Sequence, residues 1–206
     1  MDDTAPTPCE QSDLSATTSV DVVSASVSTS TFETGVMTTY RLKVSLGGDA
    51  ANVYAFAGTP LGDLTMPAAY QTPVFGVDVG GVSPQIYAQI ADAEFDSWLT
   101  IGMTDGSDLN AISASPGLGL SEWSESGSFS TDNGAIFWMN PADGPTGCDI
   151  TMAQLTVPTA ESGAASGVVQ GRSDANGAVP DWQTTVSWSW EADGATPFSS
   201  MYRSDP

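Results

Sequence analysis

Histidine is absent from this chain and basic residues are nearly so: Arg41, Lys43, Arg172 and Arg203 stand against 25 acidic residues. Without histidine there is no imidazole base, no Ser-His-Asp triad and no imidazole metal site. Without a basic patch there is nothing to neutralise a phosphate backbone, so nucleic acid is excluded as a partner. No apolar run approaches the roughly 20 residues of a membrane-spanning helix, and no membrane insertion is expected. Cysteine is scarce too. Cys9 and Cys148 are the only two, in neither a CxxC nor a zinc spacing.

What is present suits one folded β domain. The chain has 206 residues, 40% of them hydrophobic, with six Trp, seven Phe and five Tyr, enough for a single core. A net charge of −21 would ordinarily point to disorder. Charged residues are only 14% of the chain, however, and its apolar segments are periodic, so the charge decorates a folded surface. Such a surface is soluble, self-repelling and attractive to cations. It suits a salty exterior, where repulsion is screened within a few ångströms.

The two cysteines read either as a Cys9–Cys148 disulfide or as two unrelated thiols; the extracellular composition favours the bond. It would close a long loop, worth roughly 4–5 kcal/mol in the chain-entropy account. Met1 is followed by Asp2 and Asp3, the reverse of a basic leader. The chain therefore reads as starting after a removed leader, or as a module of a longer protein.

Residues 1–15 are polar and contain proline, and are expected to form a tail or linker anchored by Cys9; residues 16–206 are expected to form a single domain. Period-2 segments bounded by Gly, Pro, Asn and Asp recur through it. In Trp182–Trp190, the residues Trp182, Thr184, Val186, Trp188 and Trp190 share one face and Gln183, Thr185, Ser187 and Ser189 the other. Tyr40–Leu46 alternates in the same way, as half-buried antiparallel strands do. Val20–Val27 and Ile150–Val157 each slip phase once, at Val22/Val23 and Met152/Ala153, as a β-bulge would make them. Val53–Ala57 and Ala135–Met139 are apolar on both faces and should be buried strands. Val74–Val79, Trp98–Met103 and Gly167–Gly171 complete the set, and Ser83–Ala93 has helical spacing for one short helix at most. The expected fold is all-β, an antiparallel sandwich or jelly roll of about 9–11 strands.

Three constellations could carry chemistry. Acidic residues flank turns at Asp92, Glu94 and Asp96, at Asp105 and Asp108, and at Asp174, Asn176 and Asp181. Calcium takes six to eight oxygens, and such loops supply several; equally, Asp and Asn form turns by bonding their own backbone. Calcium is the one cofactor this pattern suggests. The tryptophans could form a sugar-stacking platform, but rings in register normally fill a core, so Trp98, Trp138, Trp182, Trp188 and Trp190 are expected inside. Trp123, in the polar stretch SEWSES, is the ring expected to face solvent and any ligand. Glu122 with Glu125, or Glu94 with Asp96, could pose as a glycosidase pair, but with acids this abundant chance pairs are expected.

The order of segments TYRLKVSL, NVYAFAGTPLGDLTMPAAYQ, EFDSWLTIGMTDG, SFSTDNGAIFWM, AQLTVPT and VVQGRS resembles a module of large secreted or cell-surface β proteins of marine microbes. The match covers roughly Thr39–Ser173, and FDSWLTIG is its most specific part. The resemblance implies a surface or matrix setting and carries no catalytic residue. The chain thus reads as a non-enzymatic extracellular structural or adhesive module, a building unit of a fibre, layer or appendage. Its expected partners are itself, other matrix proteins or polysaccharide. The alternatives are a carbohydrate-binding module and, third, a carboxylate-based glycoside hydrolase.

Overall fold

The computed structural model describes residues 16–108, 110–174 and 178–192. Eleven strands run through them: β1 Ala16–Val27, β2 Met37–Leu46, β3 Ala55–Gly58, β4 Leu64–Met66, β5 Trp98–Leu99 and β6 Ile112–Ala114 come first. β7 Phe129–Thr131, β8 Gly134–Trp138, β9 Ile150–Pro158, β10 Gly163–Gly171 and β11 Trp182–Trp190 follow. Among the described residues the single α-helix is one turn, α1 Pro84–Tyr87, followed by a 3-10 turn at Ala91–Phe95. The fold is all-β, with two antiparallel sheets facing each other.

The smaller sheet has the order β1-β2-β9-β5, and Val79 adds a parallel bridge beyond Leu99. In the larger sheet β10 carries β11 along one side and, on the other, β3 and then β4. β8 and β7 continue outward from β3 and β4, and β6 closes the far edge. Residues 59–63 leave the sheet between β3 and β4 as a tight turn, closed by reciprocal 2.9 Å backbone bonds between Thr59 and Gly62.

The alternating strands behave as their pattern requires. Trp182, Val186, Trp188 and Trp190 are buried while Gln183 and Thr185 are exposed. Their rings join the two sheets: Trp190 stacks on Tyr40 of β2 at 5.3 Å, and Trp188 Nε1 donates to the Lys43 carbonyl at 2.7 Å. Trp188 also meets Phe56 edge-on at 5.7 Å. Such ring pairs add about 0.5–1.5 kcal/mol each beyond burial. Gly167 makes room for them, since a Cβ there would lie 2.4 Å from the Phe56 ring. Both phase slips are bulges. β1 shifts register between Val22 and Ser24, and β9 shifts between Ala153 and Thr151, leaving Met152 without a partner in β2.

Three expected strands differ. Val74–Val79 is a turn and loop rather than a strand, with Val74 and Phe75 in solvent. Trp98–Met103 is buried but pairs as a strand only over Trp98–Leu99. In Ala135–Met139 only Ile136 is fully buried; Trp138 packs partly against the same core, and Ala135 and Phe137 on the opposite face are half-buried. β4, β6 and β7 are too short to show a period in the sequence.

β9 is buried on both faces. One face looks into the sandwich. Along the edge of β9 away from β2, the segment from Tyr70 to Gly102 bonds to its backbone and to Gln154, which places the site described next.

Candidate functional site, an acid-clamped apolar turn

Tyr70 and Ser97 hold this segment to β9. The Tyr70 amide donates to the Thr156 carbonyl at 2.8 Å, Ser97 N donates to the Tyr70 carbonyl at 3.1 Å, and Thr156 N donates to Ser97 Oγ at 2.9 Å. Gln154 reaches out of β9 and gives its Nε2 hydrogens to the carbonyls of Glu94 and Asp96, both at 2.9 Å. Asp96 is thereby fixed against the sheet, with no exposed surface.

Its carboxylate clamps a turn. Oδ1 accepts from Thr72 N and Oδ2 from Val77 N, each at 2.8 Å. Thr72 precedes Pro73, which biases it to extended backbone, and Gly76 closes the turn. A Cβ on Gly76 would lie 2.7 Å from the Thr72 carbonyl oxygen and 3.3 Å from Asp96 Oδ1, so only glycine fits. Burial pushes the Asp96 carboxyl up to about 7, and nearby Asp78 pushes the same way, against the pull of the Thr72, Val77 and Ser97 amides. Asp78 is itself raised by burial.

The tip of this turn is Val74–Phe75. Phe75 has φ +61°, a left-handed conformation that costs a residue with a Cβ about 1–2 kcal/mol. Its ring is 65% exposed, the most of any large apolar side chain described, and Val74 is 45% exposed. The strain is not compensated by burying the ring. The turn that Asp96 holds thus carries an aromatic side chain in water.

The turn shares its corner with residues 31–36. Phe32 packs edge-on against Tyr70 at 4.7 Å and Phe95 at 5.8 Å, in a small second core with Met37. Tyr70 Oη donates to Thr31 Oγ1, which donates to Asp92 Oδ2 at 3.0 Å. The Glu125 carboxylate holds the same loop by accepting from the amides of Glu33 and Thr34 and from Thr34 Oγ1. Two hollows open here. One, of about 240 Å³, lies between Thr31, Glu33, Pro73 and Glu125. The other, of about 370 Å³, is lined by Thr34, Val36, Pro158, Thr159, Ala160 and Glu161.

The acids singled out in the sequence disperse among turns. Asp92 and Asp96 act as described, and the side chain of Glu94 points to solvent. Asp105 accepts from Ser107 N at 2.9 Å, Asp108 is exposed, and Asp174 accepts from the amides of Ala178 and Val179. Asp181 accepts from Tyr54 Oη at 2.7 Å and pairs with Arg172 at 3.1 Å; burial first, then Asp181, pushes the Tyr54 hydroxyl up to about 12. Asn176 lies outside the described residues. Among those described, no three His, Cys, Asp or Glu gather as a metal would need.

Trp123 is a correction. It is buried at 3% exposure, its Nε1 donates to the Pro67 carbonyl at 2.8 Å, and its ring tilts against Phe129. The 3-10 turn Leu120–Glu122 delivers it inward despite its polar neighbours. Cys148 stands exposed before β9 and is not a free thiol. Cys9 lies outside the described residues, so its pairing with Cys148 is still a proposal. Sequence reasoning missed Val74 and Phe75. The signal was Pro73 and Gly76 bracketing two apolar residues, a turn signature that the alternation of Val74–Val79 masked. No protein-family model matches this chain, and comparisons with curated proteins and with solved structures find no match.

Proposed function

We propose that this chain is an extracellular structural or adhesive module, a building unit of a surface or matrix assembly, and that the Thr72–Val77 turn is its point of contact. The observation that carries the reading is Phe75, strained at φ +61° and 65% exposed on a turn clamped by Asp96. Three described non-glycine residues have positive φ, Ser26, Phe75 and Asp149, and of these only Phe75 is a large exposed apolar side chain; strained residues of this kind cluster at functional sites. The acidic composition and the resemblance of FDSWLTIG to marine surface modules support the setting. The sugar-binding alternative rested on exposed aromatics and loop carboxylates; Trp123, the ring expected to face a ligand, is inside.

The test is light scattering and electron microscopy of the purified chain in high salt, where self-repulsion is screened. Multimers, filaments or sheets that diminish in Phe75→Asn are expected. A wild-type chain that stays a free monomer at every salt concentration contradicts the reading.

A further inference from the structure

The clamped turn forms one wall of the smaller hollow, of about 240 Å³, since Pro73 and Gln71 both line it. These two residues flank Thr72, whose amide Asp96 holds at 2.8 Å. Phe75 is not part of the wall, but it stands two residues beyond Pro73, within about 7.6 Å from Cα to Cα. An exposed ring and a polar hollow are therefore neighbours on one pre-formed turn.

The groups around the hollow are those that bond hydroxyls. Ser124 and Ser126 each bring an O–H that donates or accepts. Gln71 Nε2 is a buried donor without a hydrogen-bond partner. Glu125 is fixed by the amides of Glu33 and Thr34 and by Thr34 Oγ1. Three of these bonds fall on Oε2 and one on Oε1, so Oε1 keeps a free lone pair.

We propose that this hollow, with Phe75 beside it, binds one ring of an uncharged, hydroxyl-rich polysaccharide. The inference rests on the reading of the Thr72–Val77 turn as the point of contact and names what it meets. A sugar ring has hydroxyls at its rim and C–H bonds on its faces. Carboxylate, amide and hydroxyl groups suit the rim, and a flat aromatic suits the face. The first set lines the hollow, and Phe75, not Trp123, is the exposed ring. The turn is already ordered by Asp96, so binding does not carry the cost of ordering a loop.

Charge and size narrow the ligand. Glu33 and Glu125 line the hollow of a chain with net charge −21, which repels sulfated or uronate polymers. An ammonium ligand would suit the carboxylates but has no acceptor for Gln71 Nε2. The volume falls below the roughly 300–1,000 Å³ of pockets that enclose a drug-sized ligand, so one ring enters and the polymer continues outside.

The experiment is biolayer interferometry of the full chain over immobilised neutral β-glucan, neutral mannan and dextran sulfate, with thermal midpoints confirming that each variant is folded. Wild type should bind at least one neutral polymer and not the sulfated one. Its Kd should change less than about twofold between about 0.1 M and about 1 M sodium chloride, because no ion pair is screened. Phe75→Asn and Gln71→Ala should each weaken binding at least about tenfold, and Phe75→Trp should keep it. If Phe75→Asn weakens binding and Gln71→Ala does not, the hollow is not the site. No binding to either neutral polymer, or binding shared by dextran sulfate, overturns the proposal; if such a chain still associates in high salt through Phe75, the adhesive reading stands. A wild type that neither binds a polymer nor associates overturns both.

Discussion

Asp96 Oδ2 and the amide of Val77 lie 2.8 Å apart, and with the matching bond to Thr72 this contact fixes both ends of a turn across one buried carboxylate. No cation neutralises that carboxylate among the interactions that act on it; Asp78 raises its pKa further. The clamp is thus held by backbone dipoles alone.

Its pH dependence has a definite sign. The carboxyl titrates near 7 in the fold and near its ordinary 3.8 when unfolded, so the native state holds the proton more tightly. The stability this gives is full below about pH 4, is lost as pH rises toward about 7, and totals on the order of 4 kcal/mol. Asp96→Asn cannot titrate and leaves one of the two amides without an acceptor. Denaturant melts at several pH values should show wild type exceeding the variant most at acid pH, with the gap narrowing up to neutrality. A constant gap would mean that Asp96 titrates normally.

Trp188→Ala should destabilise the chain by about 3–5 kcal/mol, the usual cost of emptying a buried aromatic site. The ring is 2% exposed, packs on Phe56 and bonds the Lys43 carbonyl across the sandwich. Guanidinium unfolding measures it, and a loss below about 1 kcal/mol would place the ring at the surface.

Gly167→Ala should cost about 1–3 kcal/mol by overpacking, because the new methyl meets the Phe56 ring at 2.4 Å and Leu64 at 3.0 Å. Combining it with Phe56→Leu should recover part of the loss if the clash is with that ring. Equal losses in the single and double variants would put the cause elsewhere.

Non-reducing peptide mapping should recover Cys9 and Cys148 in one cross-linked pair, and reduction should lower the thermal midpoint. Two alkylatable thiols in the native protein would contradict the pairing.

The sandwich was legible in the sequence because β11 sets a buried face against an exposed or half-buried one and β2 alternates buried with half-buried residues from Tyr40 to Leu46, so period 2 is written into their residues. The bulges were legible for the same reason, since one extra residue shifts the phase. The site was not. Asp96 clamps amides 24 and 19 residues back along the chain, and backbone donors leave no trace in side-chain identity. Trp123 was misplaced because its neighbours are polar while its own indole finds the Pro67 carbonyl inside. Val74–Val79 alternates as a strand would, but Pro73 and Gly76 turn the backbone before any partner strand can pair with it.

The central claim, that the turn is built to present Phe75 and not to stabilise the fold, is tested most directly by Phe75→Asn with stability and association measured on the same sample. Asparagine is at ease in the left-handed region, and little burial is lost from a ring already 65% exposed. The account predicts opposite signs: a thermal midpoint unchanged or raised, by up to about 1 kcal/mol in stability, together with loss of association in high salt. A lowered midpoint with association intact would contradict it.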